Sequence, residues 1–187
     1  MGQIILVTGG ARSGKSRFAE QYAAKCGTHV GYIATAEIYD KEMEFRVKLH
    51  RERRPASWKT YEAPFDAHKA LAKAGQECDA VLFDCLTLYV SNLLCSLDSV
   101  EDSDRNYALA REKLDLLLCQ AKANPGPTIF VSNEVGSGIV PENHLSREYR
   151  DIAGIVNQWT ARAADKVYLV VCGLPVDIKK IAENWEA

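Results

Sequence analysis

Five short runs along the chain are apolar at nearly every position: Ile4–Thr8, 30–35, Ala80–Asp84, 128–132 and Lys166–Val171. They are rich in β-branched residues and do not alternate, which is how strands covered on both faces read. Between them, apolar positions recur with helical spacing over Lys15–Cys26 and over residues 40–53, 64–74, 86–97, 105–123 and 145–164. Residues 57–61 form a weaker strand candidate. Alternating strands and helices imply an α/β fold, a mainly parallel sheet with right-handed crossovers and helices on both faces. The polar stretch 98–104 and the turn 124–127 have the composition of surface loops. With no repeat or low-complexity tract in 187 residues, one domain over residues 1–187 is expected.

Composition narrows the function classes. A formal charge of −2 argues against a general nucleic-acid binder, which usually carries a basic excess. The opening MGQIILVTGG lacks a basic n-region and reaches glycine after four apolar residues, so it does not read as a signal peptide, and the buried-strand character after Gly2 disfavours myristoylation. No apolar run approaches the roughly 20 residues of a membrane span. Cys26, Cys78, Cys85, Cys95, Cys119 and Cys172 are scattered without a C-x-x-C pair. They read as small buried hydrophobes in a reducing compartment, with the cytoplasm as default.

The first strand runs into Gly9-Gly10-Ala11-Arg12-Ser13-Gly14-Lys15-Ser16, which fits G-x-x-x-x-G-K-S between a strand and a helix. Glycines let successive backbone N–H groups point inward at phosphate oxygens, and the following helix adds the positive end of its dipole. Lys15 is expected to offset β- and γ-phosphate charge, and the Ser16 hydroxyl to ligate Mg²⁺. A phosphate loop also needs an acid at the end of a neighbouring strand. Ala80–Asp84 supplies Asp84 at the carboxyl edge, where α/β folds bind ligands. Its alternative use is as the N-cap of the helix that follows.

In the pattern over residues 40–53, Arg46, His50 and Arg53 recur at i, i+4 and i+7 and share a helical face, which Pro55 terminates. Such a face is either an ordinary solvated one or a polyphosphate site. Arg51, Arg53 and Arg54 crowd guanidinium groups around one imidazole and favour its neutral, nucleophilic form. Neutral imidazole can attack phosphorus and form a phosphoramidate. His29 at a strand start, His68 in an amphipathic helix and His144 in a loop carry less chemistry.

Together these residues resemble a known family. LVTGGARSGKSRFAE (6–20), YIATAE (32–37), RVKLHRERRPASW (46–58), LFDCLTLYVSNLL (82–94), VSNEVGSGIVPENHLSREYRDIAGIVNQ (131–158) and ADKVYLVVCGLPVDIK (164–179) are similar to the bifunctional adenosylcobinamide kinase / adenosylcobinamide-phosphate guanylyltransferases of cobalamin biosynthesis. The combination H-R-x-R-R-P, S-N-E-V-G-x-G-I-V-P and R-D-I-A-G-x-V-N-Q is far more specific than a phosphate loop alone. The resemblance implies a RecA-like P-loop core, a homotrimer, and two reactions that use GTP or ATP with Mg²⁺. In one, the aminopropanol hydroxyl of adenosylcobinamide is phosphorylated; in the other, GMP passes from GTP to that phosphate. It places the guanylyl-carrying role on His50. It places nucleotide contacts on Gly9, Gly10, Ala11, Arg12, Ser13, Gly14, Lys15, Ser16, Ala34, Thr35, Ala36, Arg51, Glu52, Arg53, Arg54, Glu62 and Asp84.

Asn133 and Glu134 fall near the end of a strand read as 128–135, and either touch substrate or metal or order the adjoining loop. The loop 139–143 sits near either the corrinoid or a subunit contact. The apolar helix 86–97 reads as core or interface in preference to a corrinoid pocket. Two rival functions share Lys15, Ser16 and Asp84: a small-molecule kinase with another acceptor, and a regulatory GTP switch, although the N-K-x-D that usually reads guanine is missing from the sequence.

Overall fold

A computed structural model describes residues 2–37, 41 and 54–183. Apart from Lys41, the helix predicted over residues 40–53, with Arg46, His50, Arg51, Glu52 and Arg53, lies outside the described residues.

Seven strands form one sheet: β1 (Ile4–Thr8), β2 (Val30–Ala34), β3 (Lys59–Glu62), β4 (Ala80–Asp84), β5 (Thr128–Val131), β6 (Lys166–Val171) and β7 (Leu174–Asp177). Their order is β3-β2-β4-β5-β1-β6-β7, and every pair is parallel except β6 with β7. The helices are α1 (Lys15–Cys26), α2 (Ala67–Glu77), α3 (Leu86–Cys95), α4 (Ser103–Ala123) and α5 (His144–Ala163). This is the three-layer α/β arrangement of a P-loop fold.

The period of two sorts the apolar strand residues between the faces. Ile4 and Leu6 of β1 join Ile33, Phe83, Phe130 and Val167 against α2, α3, α4 and α5. Ile5 and Val7 point the other way, with Tyr32, Leu82, Ile129 and Val170, toward Ala19 and Ala23 of α1. Phe83 anchors the larger core, its ring centroid 5.3 Å from that of Phe130 and 5.9 Å from that of Tyr89. Side-chain caps start two helices: the Asp102 carboxylate accepts from Arg105 N–H, and the Asn143 side chain accepts from Ser146 N–H.

Several predicted boundaries shift. The helix expected over 64–74 starts at Ala67, because Pro64 lacks an N–H and Asp66 adopts a left-handed conformation immediately before it. The weak candidate over 57–61 becomes β3, shifted toward the C-terminus by its register with β2. The strand expected to reach residue 135 stops at Val131, so Asn133 and Glu134 lie beyond it. His144 opens α5 instead of lying in a loop. Antiparallel β7 went unanticipated. Its signal was the dipeptide Cys172-Gly173, whose φ values of 51° and 80° suit a two-residue hairpin turn.

The cysteines also depart from expectation. Only Cys85 is buried; Cys26 and Cys78 are half-buried, and Cys95, Cys119 and Cys172 are exposed. Position on a helix or at a hairpin turn, and not local hydrophobicity, decides which way each thiol faces. Helix α3 buries seven of its ten residues, including Leu86, Tyr89, Val90, Leu93 and Leu94, which matches the core role read for it.

Phe83→Ala should lower the unfolding free energy by about 3–5 kcal/mol, because its neighbours Phe130 and Tyr89 are held by the sheet and by α3 and cannot collapse fully into the space. Urea denaturation of the variant measures this directly.

Candidate functional site

The carboxyl ends of the parallel strands and the start of α1 surround a cleft of about 1700 Å³. Residues 11–16 form its loop wall. Gly14 has φ 95° and precedes α1 with no side-chain cap, which leaves the first N–H groups of the helix directed into the loop. A Cβ on Gly14 would lie 3.0 Å from the Gly173 Cα, and Gly173 N–H donates to the Ser13 carbonyl at 2.8 Å. The β6–β7 turn thus buttresses the loop from behind.

Lys15 is 8% exposed and its ammonium donates to the Gly10 carbonyl at 3.0 Å. Burial is the largest influence on its pKa and lowers it from the usual lysine value, opposed by negative charge at Cys85 and Asp84. Burial pushes the Cys85 thiol up to about 11, so near neutrality Asp84 supplies that opposing charge.

Strand β5 lies between β1 and β4, which sets Asp84 across a gap from the loop. Asp84 is not the cap of α3; that position belongs to Cys85. The Tyr32 hydroxyl donates to Asp84 Oδ2 at 2.7 Å, and Tyr32 is 3% exposed. Burial, then the Asp84 charge, drives the Tyr32 pKa well up, so this phenol stays a donor. The Arg54 guanidinium stacks 3.6 Å above the Tyr32 ring and donates to Thr60 Oγ1 at 2.9 Å. Tyr32 therefore joins a cation on one wall to the carboxylate on the other. Sequence reasoning missed it, because a tyrosine inside an apolar strand reads as core.

Of the residues nominated at the sequence level, Ala11, Arg12, Ser13, Gly14, Lys15, Ser16, Ala34, Ala36, Arg54, Glu62 and Asp84 line this one cleft. Gly9 and Gly10 shape the loop behind it: a Cβ on Gly9 would meet the Val170 carbonyl at 2.5 Å, and Gly10 offers its carbonyl to Lys15. Thr35 is different. It is fully buried, and its hydroxyl both donates to the Cys85 carbonyl at 2.9 Å and accepts from Cys85 N–H at 2.8 Å. That hydroxyl fastens the end of β2 to the end of β4. The nominated His50, Arg51, Glu52 and Arg53 lie outside the described residues.

Asn133, Glu134 and Val135 form the floor between the loop and Asp84. Trp58, Pro55, Pro64 and Leu88 add an apolar wall that no motif announced. No cluster of three or more potential metal-ligating His, Cys, Asp or Glu side chains occurs among the described residues. The Ser16 hydroxyl and the Asp84 carboxylate are among the hard oxygen donors lining the cleft, the kind that magnesium takes up together with phosphate oxygens.

Comparison with known proteins agrees with this geometry. Residues 5–178 match the family described as cobinamide kinase / cobinamide phosphate guanyltransferase. The chain is 45% identical over 181 residues to the bifunctional adenosylcobalamin biosynthesis protein CobU of Salmonella typhimurium, covering 94% of this chain and 99% of that protein. It is 45% identical over 174 residues to the corresponding protein CobP of Pseudomonas aeruginosa, covering 93% and 96%. Escherichia coli CobU is 42% identical over 181 residues, covering 94% and 99%.

Thr35→Val keeps the shape of the side chain but leaves the Cys85 N–H without its acceptor, while the Cys85 carbonyl still accepts from Tyr89 N–H at 3.1 Å. It should cost about 1–3 kcal/mol of stability, read from the shift of a denaturation midpoint at unchanged slope.

Proposed function

This chain belongs to the cobinamide kinase / cobinamide phosphate guanyltransferase family, and we propose that it runs both reactions from the one cleft. It is an enzyme of the adenosylcobalamin nucleotide loop. It phosphorylates adenosylcobinamide on the aminopropanol hydroxyl. It then transfers GMP from GTP to that phosphate, giving adenosylcobinamide-GDP and pyrophosphate. The observation that carries the reading is the convergence of Gly14, Lys15, Ser16, Asp84, Arg54 and Glu62 on a single cavity.

In this reading the inward N–H groups of residues 9–16 and the Lys15 ammonium hold the triphosphate tail of GTP or ATP. Ser16 and Asp84 would hold Mg²⁺, which offsets phosphate charge when bound. Tyr32 keeps Asp84 in one orientation through its hydroxyl. Ala34, Ala36 and Glu62 bound the nucleotide on the β2–β3 side.

His50 is the nucleophile of the guanylyl transfer. Arg54 and Pro55, four and five residues after His50 in the sequence, line the cleft, which supports this role. The imidazole nitrogen attacks the α-phosphorus, and the bond to the bridging oxygen breaks to release pyrophosphate. The phosphate of the acceptor then attacks the same phosphorus, the P–N bond breaks, and the imidazole is restored. Direct attack of a phosphate monoester on GTP would bring two anions together, and the neutral imidazole avoids that encounter. Arg51, Arg53 and Arg54 offset charge that develops on the α-phosphate.

The seven strands share one sheet, which supports a single kinase and guanylyltransferase unit. The cytoplasm is the compartment proposed, supported by the biosynthetic role; no helix of the described residues is long and apolar enough to cross a membrane. A homotrimer is also proposed. Exposed Val171, Leu174, Val176 and Ile181 offer apolar surface for subunit contact.

Incubation with GTP labelled at the α-phosphate, followed by denaturation, should leave acid-labile, base-stable label on the protein. His50→Ala should abolish it, and adenosylcobinamide phosphate added as a chase should remove it from the intact enzyme. An unlabelled but kinase-active enzyme would mean a plain small-molecule kinase. Guanylyl transfer should also fail as pH falls through the imidazole pKa, about 6.5 when unperturbed, because protonation occupies the attacking lone pair. A rate that stays level through that acid limb counts against His50 as nucleophile. Lys15→Ala should depress both reactions, since both use the same triphosphate grip.

A further inference from the structure

Phosphorylation of a hydroxyl needs a group to receive its proton, and the guanylyl step, whose nucleophile is an imidazole and then a phosphate, does not. We propose that Glu134 is that base, a role confined to the kinase half-reaction. The inference rests on the cleft assignment above and deepens it.

The backbone around Glu134 is pinned from three sides. Ser132 N–H donates to the Val7 carbonyl at 3.0 Å, and Glu134 N–H donates to the Gly9 carbonyl at 3.1 Å, so the segment is tied directly to the phosphate loop. From α5, the Asn157 side-chain amide donates to the Asn133 carbonyl at 3.0 Å. Toward α3, the Asn133 side-chain amide donates to Thr87 Oγ1 at 2.9 Å. Asn133 is therefore an ordering residue. Glu134 is exposed, and among the described residues its carboxylate meets only the Gly136 N–H, at 3.3 Å and within its own turn. A rigid backbone thus delivers one lightly held carboxylate to the cleft.

The other carboxylates lining the cleft are placed for other work. Asp84 accepts from Tyr32 and is assigned to Mg²⁺ in the proposed function. Glu62 ends β3 and Glu37 follows β2, both on the far side of β4 from the loop. Glu20 sits on α1, five residues beyond Lys15, about one and a half helical turns from the loop. Of these carboxylates Glu134 alone follows the strand between the phosphate loop and Asp84, and it lines the cleft at that point.

The acceptor hydroxyl oxygen attacks the γ-phosphorus, and the bond from that phosphorus to the β,γ-bridging oxygen breaks. The nucleoside diphosphate leaves. The hydroxyl proton passes to the Glu134 carboxylate and from there to solvent, to which the side chain is open.

The test separates the two activities of one enzyme. Glu134→Gln keeps size and polarity but removes the base. Phosphorylation of adenosylcobinamide should fall about 10²–10⁴-fold, the range for general-base catalysis. Labelling by α-phosphate-labelled GTP should stay within about threefold of the parent. Glu134→Asp should restore part of the kinase rate, and the thermal midpoint of both variants should stay unmoved. Equal loss of both activities would mean that Glu134 serves the nucleotide or metal and would overturn the proposal, as would an unchanged kinase rate. If the parent enzyme shows neither labelling nor kinase activity, it is the assignment of the cleft that fails, a result distinct from any effect of the variant.

Discussion

The spacing of strands at the carboxyl edge is the constraint on which the site depends. Because β5 runs between β1 and β4, the phosphate loop and Asp84 stand two strand spacings apart, about 10 Å. Direct pairing of β1 with β4 would halve that gap and bring Lys15 and the carboxylate into contact as an ordinary ion pair. The inserted strand leaves room for phosphate oxygens and a cation between them, and its own exit supplies Asn133 and Glu134 as the floor.

Holding such a gap open at the end of a sheet, where ladder hydrogen bonds stop, needs additional fastening. Each strand exit here has one. Thr35 ties β2 to β4 through both backbone groups of Cys85. The Asn92 side-chain amide donates to the Thr35 carbonyl at 2.8 Å and to the Pro64 carbonyl at 3.2 Å. Asn157 and Thr87 hold the exit of β5, and Gly173 supports the loop after β1. Apart from the exposed Gly173, these are buried or half-buried polar groups whose partners are backbone atoms or one another. Each satisfied donor or acceptor adds little net stability, yet losing one partner exposes the full desolvation cost of the other. The site is preorganised by that asymmetry.

The apolar layers beneath are unequal. Four helices cover one face of the sheet, whereas among the described residues α1 is the helix on the other. Among the described residues, the helix that carries the phosphate loop is therefore also the main cover of its face, so displacement of the loop would disturb the core under Ala19 and Ala23. Packing and phosphate geometry are coupled through one element.

Much of this was legible in the order of residues. A strand, a glycine-rich turn and a helix starting at Lys15 involve neighbours in the chain, and local conformational preference determines them. The alternation of apolar strand and amphipathic helix likewise implies a mainly parallel sheet, because crossover helices then cover such strands on both faces. Asp84 at a strand end was readable by the same reasoning. The rest was not, because it depends on strand order and on contacts between distant segments. Tyr32 reads as core until β2 lies beside β4 and brings its hydroxyl to Asp84. That the Thr35 hydroxyl fastens Cys85 is likewise invisible until β2 lies beside β4. Glu134 reads as a loop residue until β5 lies beside β1 and Gly9 receives its N–H. Sequence alone determined which chemical groups this protein possesses and the local shape of its phosphate loop; only the tertiary structure decided which of those groups face one another, since hydrogen bonds across a sheet edge are set by strand pairing that no local pattern encodes.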